Sequence, residues 1–284
     1  SKSNPPPAVQ ANIRNFVNDL ERIRNRTGAS GWRPYVFAGL LNGYDTNINS
    51  ATIEQFINIP GLGVLPVTTL AAEDGFSQLI TGVGVSRQLN ANSQFFAAGT
   101  ANIRKNYGQF NSVFNFQTYQ LITGYVRKYK GFIFRFPMQY EQVFVDGKTF
   151  QRGFYFSAEA TRQLTKNVVV GLTGQYQLFS YPVQFIRDAH NLLIVGNMFI
   201  QSSDKRTALS TQVYYANGNP QDPTGAYLVR DFYGVTATAS YEVFPRNIPF
   251  ISGTVQGAKY EGVHPTFGST RHGTYFNVTV GWQY

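Results

Sequence analysis

From residue 32 to the end of the chain, apolar and polar positions alternate with period two in one segment after another. In the last ten residues Phe276, Val278, Val280, Trp282 and Tyr284 fall on one face of an extended segment. Asn277, Thr279, Gly281 and Gln283 fall on the other. Short turns interrupt the alternation at 89–92, 128–131, 164–167, 203–206 and 245–247, recurring about every 40 residues, one hairpin each. Between them lie outer connections around 108–111, 146–149, 182–188, 217–226 and 262–270. The pattern predicts about twelve strands, at 33–44, 75–88, 94–107, 114–127, 132–145, 150–163, 168–181, 190–201, 207–216, 228–243, 249–260 and 275–284. The longest connection, 45–73, contains Pro60-Gly61-Leu62-Gly63; a hairpin hidden there would raise the count to fourteen. The expected fold is all-β: a transmembrane antiparallel up-and-down barrel, its even strand count placing both termini on one side.

Charged residues within the strands agree with that reading. An Arg or Lys facing lipid at mid-membrane costs about 2 to 4 kcal/mol, so strand charges belong on the face opposite the apolar series. Arg135 opposes Phe134, Phe136 and Met138; Glu159 opposes Phe154, Phe156 and Ala160. Arg104 opposes Phe95, Ala101 and Ile103, and Glu242 opposes Tyr233, Val235 and Tyr241. These four, Arg104, Arg135, Glu159 and Glu242, are the candidate lumen residues.

Residues 1–31 follow another rule. After Pro5-Pro6-Pro7, the apolar Val9, Ile13, Phe16, Leu20 and Ile23 recur at three- and four-residue spacing, which predicts an amphipathic helix that Gly28 and Gly31 stop. The expected organisation is a periplasmic linker and helix over 1–31 and a barrel over 32–284. One short helix builds no core, so its stripe is expected to dock on a preceding helical domain rather than on the barrel rim or as a lumen plug.

Composition narrows the class. Mean hydropathy is −0.22 although aromatics make up 15% of the chain, and no run approaches the roughly 20 apolar residues of a helical span. A barrel tolerates such an average because half of each strand faces a wet lumen. With no cysteine there is no disulfide framework and no thiolate metal site. The net charge of +9 suits anionic partners such as lipopolysaccharide phosphates, an acidic polymer or an acidic protein surface.

Catalytic patterns are scarce. No phosphate loop, HExxH pair or dinucleotide turn occurs, and of the three histidines only His272 has a candidate nucleophile near it, Ser269, with no acidic neighbour in sequence to orient the imidazole. The spacing of Asp45, Asn47 and Asn49 is that of a calcium loop, yet Ser50 and Phe56 stand where Gly and Glu are needed; a polar ladder on one strand face is expected instead. Tyr107, Tyr214, Tyr215, Tyr227 and Tyr233 form either interface girdles or, with Arg104, Arg127 and Arg230, the lining of a channel. The expectation is a protein that is not an enzyme, binds no cofactor or metal, and has no nucleic-acid partner.

Two stretches resemble known families. The ending on Phe276, Val278, Val280, Trp282 and Tyr284 is similar to the C-terminal signal strand of bacterial outer-membrane barrels, which insertion machinery recognises and which closes on the first strand. The stretch Leu41-Asn42-Gly43-Tyr44-Asp45-Thr46-Asn47-Ile48-Asn49, with Asn4-Pro5-Pro6-Pro7 and Glu73-Asp74-Gly75-Phe76 leading to Gly82-Val83-Gly84, resembles the barrel start of surface lipoprotein assembly modulators (Slam) and related barrels with N-terminal tetratricopeptide repeats. That resemblance is carried by the first hundred residues. It implies a helical-repeat domain upstream, a usual barrel of fourteen strands, and a protein or lipoprotein client moved to the surface of a Gram-negative cell. The residues that carry it at strand one are Gly43, Tyr44, Asp45, Asn47 and Asn49. The alternatives are a passive porin or polysaccharide-export channel and, third, an outer-membrane hydrolase. The expected surroundings are outer-membrane lipid and lipopolysaccharide, with both termini in the periplasm.

Overall fold

The computed structural model describes residues 31–48, 56–59, 63–66, 72–245, 247–265 and 268–283. The amphipathic helix read between Val9 and Ile23, and also Asn49 and Tyr284, lie outside the described residues.

Alternation of side chains forces the chain into extended segments, and short turns fold each back on the one before it. The strands are β1 (Trp32–Asp45), β2 (Phe56–Ile59), β3 (Gly63–Pro66), β4 (Asp74–Asn90), β5 (Ser93–Asn106), β6 (Phe116–Tyr129) and β7 (Phe132–Val145). They continue as β8 (Lys148–Thr165), β9 (Val168–Ser180), β10 (Ala189–Gln201), β11 (Thr207–Pro220), β12 (Arg230–Tyr241), β13 (Ile248–Val263) and β14 (Thr270–Gln283). Twelve of them form one antiparallel sheet in chain order, β1-β4-β5-β6-β7-β8-β9-β10-β11-β12-β13-β14. This is the expected up-and-down, twelve-stranded arrangement. The long first connection does hold a hairpin, but β2 and β3 pair only with each other in a separate two-stranded sheet, so the main sheet stays at twelve. Four-residue strands are less than half the length needed to cross a bilayer. Among the described residues β14 pairs with β13 and β1 with β4; closure of β14 on β1 is the expectation stated above.

Three details depart from the sequence reading. The 146–149 connection is a tight turn rather than a longer outer loop: Asp146 and Gly147 adopt φ of 51° and 70°, the paired left-handed conformations of a two-residue hairpin. Three other connections contain 3-10 turns, at Gln109–Phe114, Phe185–Arg187 and Pro223–Leu228; the last is capped by Asp222, which accepts the Thr224 N–H, with proline at its start. Strand β14 begins five residues before the alternation is legible, because His272 and Gly273 break the apolar series while their backbone still pairs with Lys259 and Ala258.

The two faces of the sheet differ sharply. One carries an apolar belt that passes from strand to strand in register: Val36 opposite Val83, Leu121 opposite Tyr140, Phe156 opposite Tyr176, Val213 opposite Val235, and Ile251 opposite Val280. All of these except the half-buried Tyr140 are exposed, Leu121 at 63%, and so is their neighbour Val278 at 71%. The other face carries mostly polar side chains and is covered, with Gln151 and Gln177 each 8% exposed. A soluble protein would bury the first face and wet the second. Covered polar side chains opposite exposed apolar ones are the inverse order, that of a sheet curled around its polar face with hydrocarbon outside.

Candidate functional site: the polar inner face

The inner face is built by residues of one parity in each strand, and register aligns them into rows. One row runs Thr100 (β5), Gln120 (β6), Glu141 (β7) and Gly153 (β8), each directly opposite the next. Thr100 Oγ1 donates to Gln120 Oε1 at 3.3 Å, and Gln120 Nε2 donates to Glu141 Oε2 at 2.6 Å. The remaining Glu141 oxygen accepts from Tyr155 Oη at 2.8 Å. Tyr155 reaches it because Gly153 has no side chain: a Cβ there would sit 2.9 Å from the Tyr155 ring and hydroxyl. The chain of contacts resumes on β9 and β10, where Gln175 donates to Ser157 at 2.8 Å and Asn191 to Gln177 at 3.3 Å. On the last strands Tyr214 donates to Gln256 at 2.9 Å, Thr236 and Thr254 share a bond of 3.0 Å, and Thr238 and Ser252 share one of 2.8 Å.

Three of the four predicted lumen residues lie on this face. Arg135 Nε stands 3.6 Å from Glu159 Oε2 across β7 and β8, so these two candidates, read separately, form an ion pair. Arg104 is 14% exposed, holds Asp45 Oδ2 at 2.8 Å and lies with its guanidinium 3.8 Å from the Phe76 ring centre. Glu242 follows the end of β12, where its N–H binds the Arg206 carbonyl at 2.7 Å. It belongs to the short-turn rim, because the strand ends at Tyr241.

The strand-one motif is placed but not as a ladder. β1 ends at Asp45, whose second oxygen accepts the Asn47 N–H at 2.9 Å. This local turn satisfies the aspartate through its own backbone and takes Asn47 off the strand. Gly43 and Tyr44 lie within β1 opposite Phe76 and Gly75. Asp45 is thus held by the Arg104 guanidinium and the Asn47 backbone, one protein donor to each oxygen. Ser269 and His272 are not brought together as nucleophile and base: among the described residues no hydrogen bond joins them, and His272 stands opposite Lys259 in the ladder.

Glu141, Tyr155 and Gln120, the centre of the network, were not singled out by sequence reading. The signal was present, since Glu141 opposes Phe136, Met138 and Tyr140 by the same parity that selected Arg135. Of the tyrosines that admitted two readings, Tyr107, Tyr215 and Tyr233 lie on the apolar outer face and are exposed, as interface girdles require, while Tyr214 points inward to Gln256.

No family model matches the chain, and no curated protein matches it. Solved structures do. The chain is similar to the outer-membrane-expressed OmpT of Vibrio cholerae, with 8% identity, 91% of this chain and 99% of that chain covered, and a TM-score of 0.45. It is also similar to the NanC porin, with 14% identity, 72% of this chain and 93% of that chain covered, and a TM-score of 0.37. Likenesses this distant carry no weight for function, and the functional reading rests on the two faces of the sheet.

Proposed function

We propose that this chain is a β-barrel of the bacterial outer membrane that helps to move a protein or lipoprotein client to the cell surface. The observation that carries the membrane placement is the pairing of an exposed apolar belt on one face with a covered, hydrogen-bonded polar layer on the other. A belt bounded by aromatic side chains at both ends of the strands suits a hydrocarbon slab with two interfaces. Trp32, Phe132 and Trp282 bound it at the short-turn end; Tyr44, Tyr119 and Tyr233 bound it at the other. A polar interior gives hydrophilic cargo a path that hydrocarbon denies it, so the proposed role is that of a conduit rather than a catalyst. The client reading leans on the strand-one resemblance, whose residues Gly43, Tyr44 and Asp45 sit at the long-loop mouth of β1. By the same resemblance an upstream helical-repeat domain is a proposed partner; the likeness of the last strand to a barrel signal strand proposes the insertion machinery as another, and the even strand count proposes that both termini are periplasmic.

A second reading, a passive channel, is favoured by the chemistry of the inner face, where Gln, Thr, Ser and Asn outnumber charges, as suits small polar solutes. Reconstitution of the purified protein in planar bilayers separates the two. A client translocator stays closed at rest and gives no steady current. Steady open channels in every active bilayer would replace the client reading with the porin one.

A further inference from the structure

The two rims of the barrel differ in charge on their outward side. At the short-turn rim Arg87, Arg127, Lys130, Arg162, Lys166 and Arg206 stand in or beside the turns. The acidic side chains among the described residues there are Asp204 and Glu242. Asp204 is engaged in its own turn, accepting from the Ser202 hydroxyl and, at 3.0 Å, from the Arg206 N–H. These contacts, the Ser202 bond foremost, together with the nearby Arg206 charge, hold its carboxyl below the usual range, so it is one fixed anion set against several cations. The long-loop rim is mixed, with Lys148, Arg152 and Lys259 set among Asp146, Asp188, Asp231 and Glu261.

Position adds to charge. Arg87, Arg127 and Arg162 share the outward parity of the apolar belt, opposite Trp32, Phe134 and Phe132 respectively. Several of the cations lie on aromatic faces: Arg87 5.3 Å from the Trp32 ring centre, Lys130 5.2 Å from Tyr129, Arg162 4.9 Å from Phe132 and Arg206 5.8 Å from Tyr241. A guanidinium stacked on a ring can still present edge N–H groups to oxygen acceptors while its carbon stem covers apolar surface; Arg206 also donates through Nη2 to the Val243 carbonyl at 3.1 Å. Cations held this way at the lower edge of an apolar belt sit where phosphates of a lipid leaflet begin.

We infer that the short-turn rim is a collar that binds the phosphates of anionic phospholipids, with Arg87, Arg127, Arg162 and Arg206 as its donors. The inference rests on the membrane-barrel reading and adds a preferred lipid class to one leaflet. Both tryptophans of the chain, Trp32 and Trp282, lie at this rim, so intrinsic fluorescence reports on the collar directly.

The test folds the full chain into vesicles of phosphatidylcholine containing equal small fractions of brominated phosphatidylglycerol or brominated phosphatidylcholine, and compares quenching of the tryptophans. The collar gives the brominated anionic lipid an apparent association at least about threefold higher, an advantage lost in molar salt, where the screening length falls to about 3 Å. The combined Arg87→Gln, Arg127→Gln, Arg162→Gln and Arg206→Gln variant loses the preference, whereas Lys148→Gln with Lys259→Gln at the opposite rim keeps it. Equal quenching by the two lipids in the wild type, or a preference that survives either high salt or the four-residue variant, overturns the collar and leaves the barrel standing. Absence of quenching by both lipids overturns the membrane reading as well. Should the four-residue variant fail to fold, the salt dependence of the wild type still decides.

Discussion

Leu121→Arg should destabilise the membrane-inserted protein by about 2 to 4 kcal/mol and strongly reduce the folded fraction recovered in lipid vesicles. Leu121 lies near the centre of β6, opposite Gly99 and Tyr140, and is 63% exposed on the belt face. Arginine there places a guanidinium in hydrocarbon too far from either interface for its side chain to reach water without bending the bilayer. The comparison is Gln139→Arg on the neighbouring strand β7, opposite Ile122 and Tyr155. That position belongs to the inner face, where water or a polar neighbour receives the charge, and the expected cost is less than about 1 kcal/mol. Denaturant titration of both variants in vesicles, followed by the shift of the folded band on heating, reads the difference. Equal losses for the two would mean that the belt does not face lipid.

Glu141→Leu should be the most damaging single change on the inner face. It removes the acceptor from Gln120 Nε2 and from Tyr155 Oη together. A part-buried donor left without an acceptor costs about 1 to 3 kcal/mol, reduced to the extent that lumen water replaces the carboxylate. Glu141→Gln keeps an oxygen for Tyr155 but turns an amide toward the Gln120 amide, so an intermediate loss is expected. If the barrel conducts at any point of its cycle, neutralising Glu141 also shifts its selectivity toward anions, seen as a moved reversal potential under a salt gradient. A Glu141→Leu protein as stable as the parent would show that the network is incidental to the fold.

Much of the architecture was legible in the sequence because a membrane barrel writes its faces into every second residue. The parity of Phe134, Phe136 and Met138 against Arg135 located both β7 and its inner side. The same rule put Arg135 and Glu159 on the inner face one by one; that they meet as a pair came from the register of β7 on β8. What stayed hidden depended on partners from distant segments. Asp45 reads as the start of a polar ladder until Arg104, 59 residues later, takes one of its oxygens and the Asn47 backbone takes the other. Tyr155 reads as one more tyrosine until the bare backbone of Gly153 lets it lie toward Glu141. The start of β14 was invisible for a different reason: Thr270, Arg271, His272 and Gly273 belong to the strand without showing an apolar side. The turn at Asp146 and Gly147 carried a hairpin signature in plain view, Asp-Gly between two alternating segments, and the reading of regular long loops overrode it.

The central claim is that β6 presents alternate residues to lipid and to a polar interior. Because the chain contains no cysteine, a single one introduced at each of positions 118 to 123 is a unique attachment site for an environment-sensitive fluorophore. With the labelled proteins folded in vesicles, probes at 119, 121 and 123 should be blue-shifted and quenched by lipid carrying bromine on its chains. Those at 118, 120 and 122 should be insensitive to that lipid and quenched instead by a small water-soluble agent. A reversed alternation, or six probes that all report the same surroundings, would contradict the account.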